Sequence, residues 1–211
     1  MDFGNRGISL VNSGKAAEAA DCFWLAADSA DTDAERLTWL KNAAQACEQS
    51  ERLESALEGY LEYANIKKQM GVTCDLPVLV RLASLFQTFQ RLPDAAAAWA
   101  EAAKVEPGSA EIRANYGAVL ANLGEHQEAA SQLQLAIGKK PDLPAVVFSN
   151  LAASLRALGR EAEAKQVMRF CRRIVRLRSL HFLCRQIQMS LVAFFRSPHA
   201  PLRMRTLLRP I

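Results

Sequence analysis

The sequence has no run of about 18 apolar residues, so it predicts no helix able to cross a bilayer. Its start, Met1-Asp2-Phe3, has no basic segment followed by an apolar stretch, and no secretory signal is expected from it. The five cysteines lie far apart and form no Cys-x-x-Cys. A disulfide framework is therefore not expected, and a reducing, cytoplasmic setting is. Cys22, Cys47 and Cys171 suit small apolar roles on helices, Cys74 falls in a connector and Cys184 lies near the end of the chain. Only three histidines occur, and no two have metal-ligand spacing. His126 reads as an exposed turn residue before a helix. No glycine-rich loop is present to cradle phosphate, and no Gly-x-Ser-x-Gly occurs. Acid pairs such as Glu161/Glu163 read as solvated helix surface. No catalytic residue, metal site, cofactor or small-molecule substrate is expected.

Acidic residues are absent from the last quarter of the chain. Residues 1–163 hold all 22 acidic side chains and 15 of the 26 basic ones, a net of −7. Residues 164–211 hold Lys165 and ten arginines, a net of +11. Such asymmetry marks two segments with different work.

What the chain does have is a period. A small residue recurs with a bulky apolar residue four places on and a further residue three beyond. The sets are Ala19/Phe23/Ala26, Ala56/Tyr60/Tyr63, Ala95/Trp99/Ala102, Ala129/Leu133/Ala136 and Ala164/Met168/Cys171. The leading alanines are 37, 39, 34 and 35 residues apart. A period near 34 means stacked helical hairpins, because one hairpin cannot bury its own apolar face. Tyr116-Gly117, Leu120, Gly124, Ala129, Ala136 and Pro141 mark one unit, and Leu151-Ala152, Leu155, Gly159 and Ala164 the next. Glycine suits the turn between the two helices. Pro107 and Pro141 close second helices, where a missing N–H stops propagation. Glu51 and Gln90 stand where a turn glycine is expected, and Lys68 where a closing proline is. The longer spacings place a few extra residues around Ser29–Asp33 and Gly71–Leu76.

These motifs resemble the tetratricopeptide repeat family over about residues 3 to 176. The resemblance implies an all-α fold, a right-handed α-solenoid of about five helical hairpins plus a C-terminal amphipathic helix. The divisions expected are a solenoid over 1–176, the helix over 177–196 and a basic, loosely held tail over 197–211.

In such a fold the first helices line a concave groove, and repeat positions 2, 5, 6, 9, 12 and 13 point into it. Position 6 is Asn5, Asn42, Arg81, Asn115 and Asn150. Asparagine is a middling helix former, so four at one repeat position need a reason. A side-chain amide has an acceptor and two donors, and can pair with both the N–H and the C=O of an extended peptide. Asparagines that instead fix hairpin stacking by internal hydrogen bonds remain the competing explanation. The runs Ala114-Asn115-Tyr116-Gly117 and Ser149-Asn150-Leu151-Ala152 resemble the repeat domain of O-linked N-acetylglucosamine transferases, which implies a groove with an asparagine ladder. Arg81 breaks the ladder and no transferase domain follows, so the resemblance concerns a binding mode. A chaperone-type carboxylate clamp is not expected: Lys41, Gln45 and Arg81 are followed by Glu111 and Asn115, where two cations are needed. Lys41, Arg81 and Arg156 would bias the groove towards acidic ligands.

Residues 177–195 place Leu177, Leu180, Cys184, Ile187, Leu191 and Phe194 on one helical line. The segment reads as a cap on the last repeat, as an interfacial membrane helix or as an atypical terminus. Its basic residues sit among too much apolar surface for a nucleic-acid stripe. The expected function is a protein-interaction scaffold that holds an extended peptide of a partner protein through Asn5, Lys41, Asn42, Gln45, Arg81, Asn115, Asn150 and Arg156. The alternatives are a detached repeat region of a glycosyltransferase and a peripheral membrane tether through the basic helix. Oligomeric state is left open.

Overall fold

A computed structural model describes residues 2–177, all of them helical or in short connections. The tail from residue 178 onward, for which a cap, a membrane helix or an atypical terminus is expected, lies outside the described residues, with Cys184, His181 and His199. Two compact units divide at Pro141 and Asp142. The first contains four helical hairpins: α1 (Phe3–Asn12) with α2 (Ala16–Asp28), α3 (Asp33–Gln49) with α4 (Leu53–Gln69), α5 (Leu76–Thr88) with α6 (Leu92–Val105), and α7 (Ala110–Asn122) with α8 (His126–Lys139). The second contains α9 (Ala145–Ala157) and α10, which covers residues 161–177.

The alanine register holds throughout. Ala19, Ala56, Ala95, Ala129 and Ala164 are fully buried. The bulky sites Phe23, Tyr60, Trp99 and Leu133 are buried as well, while Met168 is half-buried. Space for these side chains comes from the facing first helix. A Cβ on Gly7 would stand 2.5 Å from Phe23, and one on Gly117 2.7 Å from Leu133 Cγ. Cys22, Cys47 and Cys171 are buried and free.

One turn joins the two helices of every hairpin. The N–H two residues past the cap donates to a carbonyl five residues back: Lys15 to Leu10, Arg52 to Cys47, Arg91 to Phe86, Glu125 to Leu120 and Arg160 to Leu155, all at 2.8 or 2.9 Å. This is the Schellman arrangement, which needs a left-handed residue just before that donor. Gly14, Gly124 and Gly159 supply it, and Glu51 (φ 60°) and Gln90 (φ 57°) adopt it despite their side chains.

The extra residues of the long repeats lie near the expected places, but most of them are helical: only the connection 70–75 is longer, six residues against four at 29–32 and 106–109. The connection 29–32 is no longer than that at 106–109; the added residues extend α3 to 17 residues, against 13 in α5 and α7. Thr32 caps this longer helix by accepting from the Glu35 N–H at 3.3 Å. Without a closing proline at Lys68, α4 also runs on to Gln69 and ends at Gly71 (φ 69°). His126 is corrected too. It is half-buried as the first residue of α8, and its Nδ1 is buried with no hydrogen-bond partner among the described residues.

Candidate functional site

Between α1 and α3 lies a cleft of about 180 Å3. Phe23 and Ala46 form its buried floor, and Ile8 and Val11 form one wall. Asn12, Asn42, Gln45 and Gln49 bring four side-chain amides to its edge. The repeat explains this grouping. Helix α1 offers Ile8, Val11 and Asn12 at repeat positions 9, 12 and 13, and α3 offers Asn42, Gln45 and Gln49 at positions 6, 9 and 13. Residues three and four apart share a helix face, so these positions meet on one side of the hairpins. Ile8 and Val11 remain 43% and 37% exposed beside the amides.

The other site residues predicted from sequence are placed as follows. Asn5 is exposed on α1, and its amide nitrogen donates to the Asp2 carboxylate, inside the cap that also takes the Asn5 N–H at 3.0 Å. Lys41 is half-buried outside the cleft. It helps hold the Asp75 carboxyl below its ordinary range, after the Tyr63 hydroxyl, which donates to that carboxyl, and Lys67 at 3.2 Å. Arg81 is exposed on α5 with Nε 3.6 Å from Glu48 Oε2. Asn115 is exposed on α7. In the second unit Asn150 is half-buried and Arg156 is exposed on α9, Arg156 Nε standing 3.6 Å from Glu161 Oε2. Only Asn42 and Gln45 of the predicted set share the cleft. Ile8, Val11, Asn12 and Gln49 were missed, although reading the same register at positions 9, 12 and 13 finds them.

Next to the cleft, at repeat position 12 of α3, stands Glu48. Burial raises its carboxyl above the ordinary range, and Arg81 opposes that shift. The same neighbourhood holds the Tyr60 hydroxyl, buried without a hydrogen-bond partner and pushed strongly upward, by burial first and then by Glu48. Among the described residues no group of three His, Cys, Asp or Glu stands close enough to hold a metal ion.

Residues 80–144 match the tetratricopeptide repeat family by sequence. The solved structure of YrrB, described as a TPR protein with an unusual peptide-binding site, superposes with a TM-score of 0.69 at 16% identity, over 87% of this chain and 90% of that one. A MamA structure from MSR-1 superposes at 0.64 with 20% identity over 82% of this chain and 95% of that one. Another MamA structure gives 0.67 at 15% identity over 82% and 96%. No curated protein sequence matches the chain significantly. Identities this low speak for the fold alone. Residues 80–144 are thus tetratricopeptide repeats, and the chain as described has the all-α fold of tetratricopeptide-repeat solenoids.

Proposed function

We propose that this protein is a protein-interaction scaffold that takes an extended peptide segment of a partner along its first helices. The observation that carries the reading is the cleft between α1 and α3, where an apolar floor is edged by four amides. Amides at Asn12, Asn42, Gln45 and Gln49 can each pair with both the N–H and the C=O of a peptide backbone. A cleft of about 180 Å3 falls below the usual range for small-molecule sites and suits one apolar side chain of such a peptide. YrrB, a TPR protein described as having an unusual peptide-binding site, shares this fold, which supports the same use of it.

Within the first unit Asn115 carries the position-6 asparagine onto α7, which extends the amide grip in the manner of an asparagine ladder. Arg81 and Lys41 favour an acidic residue in the peptide, which would compete with Glu48 for Arg81. Asn5, already engaged with Asp2, contributes least.

An array of neutral and acidic extended peptides, probed with the full chain, tests this reading. The best binder is then titrated against an Asn42→Ala, Gln45→Ala variant alongside thermal melting. Each lost amide contact should weaken binding by about 0.5–1.5 kcal/mol with the melt unchanged. Unchanged affinity, or a lowered melt with affinity intact, would show that the amides serve hairpin stacking instead.

A further inference from the structure

The acidic residues of the chain end at Glu163, which Arg160 grips through two nitrogens at 2.7 and 2.8 Å. Beyond it α10 carries Arg169, Arg172, Arg173 and Arg176. That spacing is i, i+3, i+4, i+7, so the four guanidinium groups follow one face of the helix. All four are exposed, and with Leu177 they line a cavity of about 590 Å3. Arg172 Nε donates to the Met168 carbonyl at 3.3 Å, and no described carboxylate pairs with any of the four. Like charges three and four apart on a helix destabilise it, so the face is costly to the free protein. Apolar side chains border the stripe: Phe170 is 45%, Val175 47% and Leu177 57% exposed. From residue 178 onward the sequence adds six more arginines and no acid.

We propose that this face of α10 is a peripheral binding site for an anionic phospholipid surface. Guanidinium groups pair bidentately with lipid phosphates and carboxylates. A stripe of exposed cations bordered by aromatic and aliphatic side chains matches the headgroup boundary, where charge and apolar surface are both satisfied. A nucleic-acid backbone would engage the arginines but leave Phe170 and Leu177 against charged phosphate, and so fits less well. No described helix is long and apolar enough to cross a membrane, so the association is with a surface. This site shares no residue with the cleft between α1 and α3, and its failure leaves the peptide reading untouched.

Flotation of the full chain with vesicles of phosphatidylcholine, with and without added phosphatidylserine, tests the proposal. Binding should require phosphatidylserine and fall steeply with salt. Replacing all four arginines by glutamine should abolish it, and single Arg169→Gln or Arg173→Gln changes should each weaken partitioning about fivefold, since a basic residue near such a surface contributes about that factor. Leu177→Gln should weaken it as well, and Lys104→Gln, far from the stripe in sequence, should not. Far-ultraviolet circular dichroism and melting confirm that each variant is folded, and the single variants decide the matter if the fourfold one is not. Equal binding to neutral vesicles, arginine variants that bind like the parent, or duplex DNA or polyglutamate that displaces the chain from vesicles at the same salt would each overturn the proposal.

Discussion

The second and third hairpins fill the same site with different aromatic residues. Tyr60 on α4 and Trp99 on α6 are 1% and 2% exposed. Trp99 Nε1 donates to Gln87 Oε1 on α5 at 2.9 Å. The counterpart of Gln87 on α3 is Glu48, which turns to Arg81 at 3.6 Å, and the Tyr60 hydroxyl is left without a partner. A repeat therefore specifies volume at its bulky site more firmly than polarity. Whether the polar tip is satisfied depends on one residue of the facing helix, at repeat position 12.

The strongest way to break this comparison is Trp99→Ala. It removes a large buried ring and one hydrogen bond, and should destabilise the chain by about 3–5 kcal/mol in chemical denaturation. A loss below about 1 kcal/mol would mean that the bulky site does not carry the packing ascribed to it.

Next in size is Gly117→Ala. The third hairpin has a fully buried Ala83 at this repeat position, whereas in the fourth hairpin Leu133 Cγ would stand 2.7 Å from the new Cβ. Overpacking of about 1–3 kcal/mol, less up to about 1 kcal/mol of improved helix propensity, should leave a net loss. Adding Leu133→Ala to make room should bring the effect of the glycine change close to zero or reverse it, as a double-mutant cycle would show.

Tyr60→Phe sharpens the polar half of the comparison. Removing an unpaired buried hydroxyl should raise stability by about 1 kcal/mol, and the matching loss of the Trp99–Gln87 bond through Gln87→Ala should lower it by a similar amount. Two changes of the same sign in urea melts would contradict the account of the position-12 residue.

The turns offer a smaller effect. Gln90→Gly relieves a left-handed non-glycine residue, worth about 1–2 kcal/mol, but loosens the unfolded chain by about 0.4–1 kcal/mol. A net gain of about 0.5 kcal/mol is expected, and Gly124→Gln in the next hairpin should show the opposite sign.

The smallest expected effect is that of Glu48→Gln, which gives α3 the residue type that α5 already has. Burial raises the Glu48 carboxyl, so its contribution to stability is full below the ordinary glutamate range near 4.5 and is lost as pH rises through the folded-state value. The difference in melting temperature between variant and parent should therefore shift in favour of the variant from acid to neutral pH. A parent whose stability rises through this window because of Glu48 would reverse the sign assigned here.

The period in the sequence was enough to place the helices, the buried alanines and the bulky sites, because one small residue facing one large one every 34 or so residues has few other packings. The extra residues expected around Ser29–Asp33 are helical for a local reason: Thr32 accepts from the Glu35 N–H and starts α3 one turn early. Much of the candidate cleft was also present in the register, at positions 9, 12 and 13, but asparagine at position 6 drew the reading to a single line. What the sequence by itself determined is the repeat, its hairpin turns and the division between an acidic and a basic segment, since these depend on spacing and charge along the chain. Only the tertiary structure decided that Asn42 and Gln45 share a cleft with Ile8 and Val11, and that Arg81 faces Glu48. Those outcomes depend on distances of a few ångströms between side chains on different elements, and no spacing along a chain encodes them.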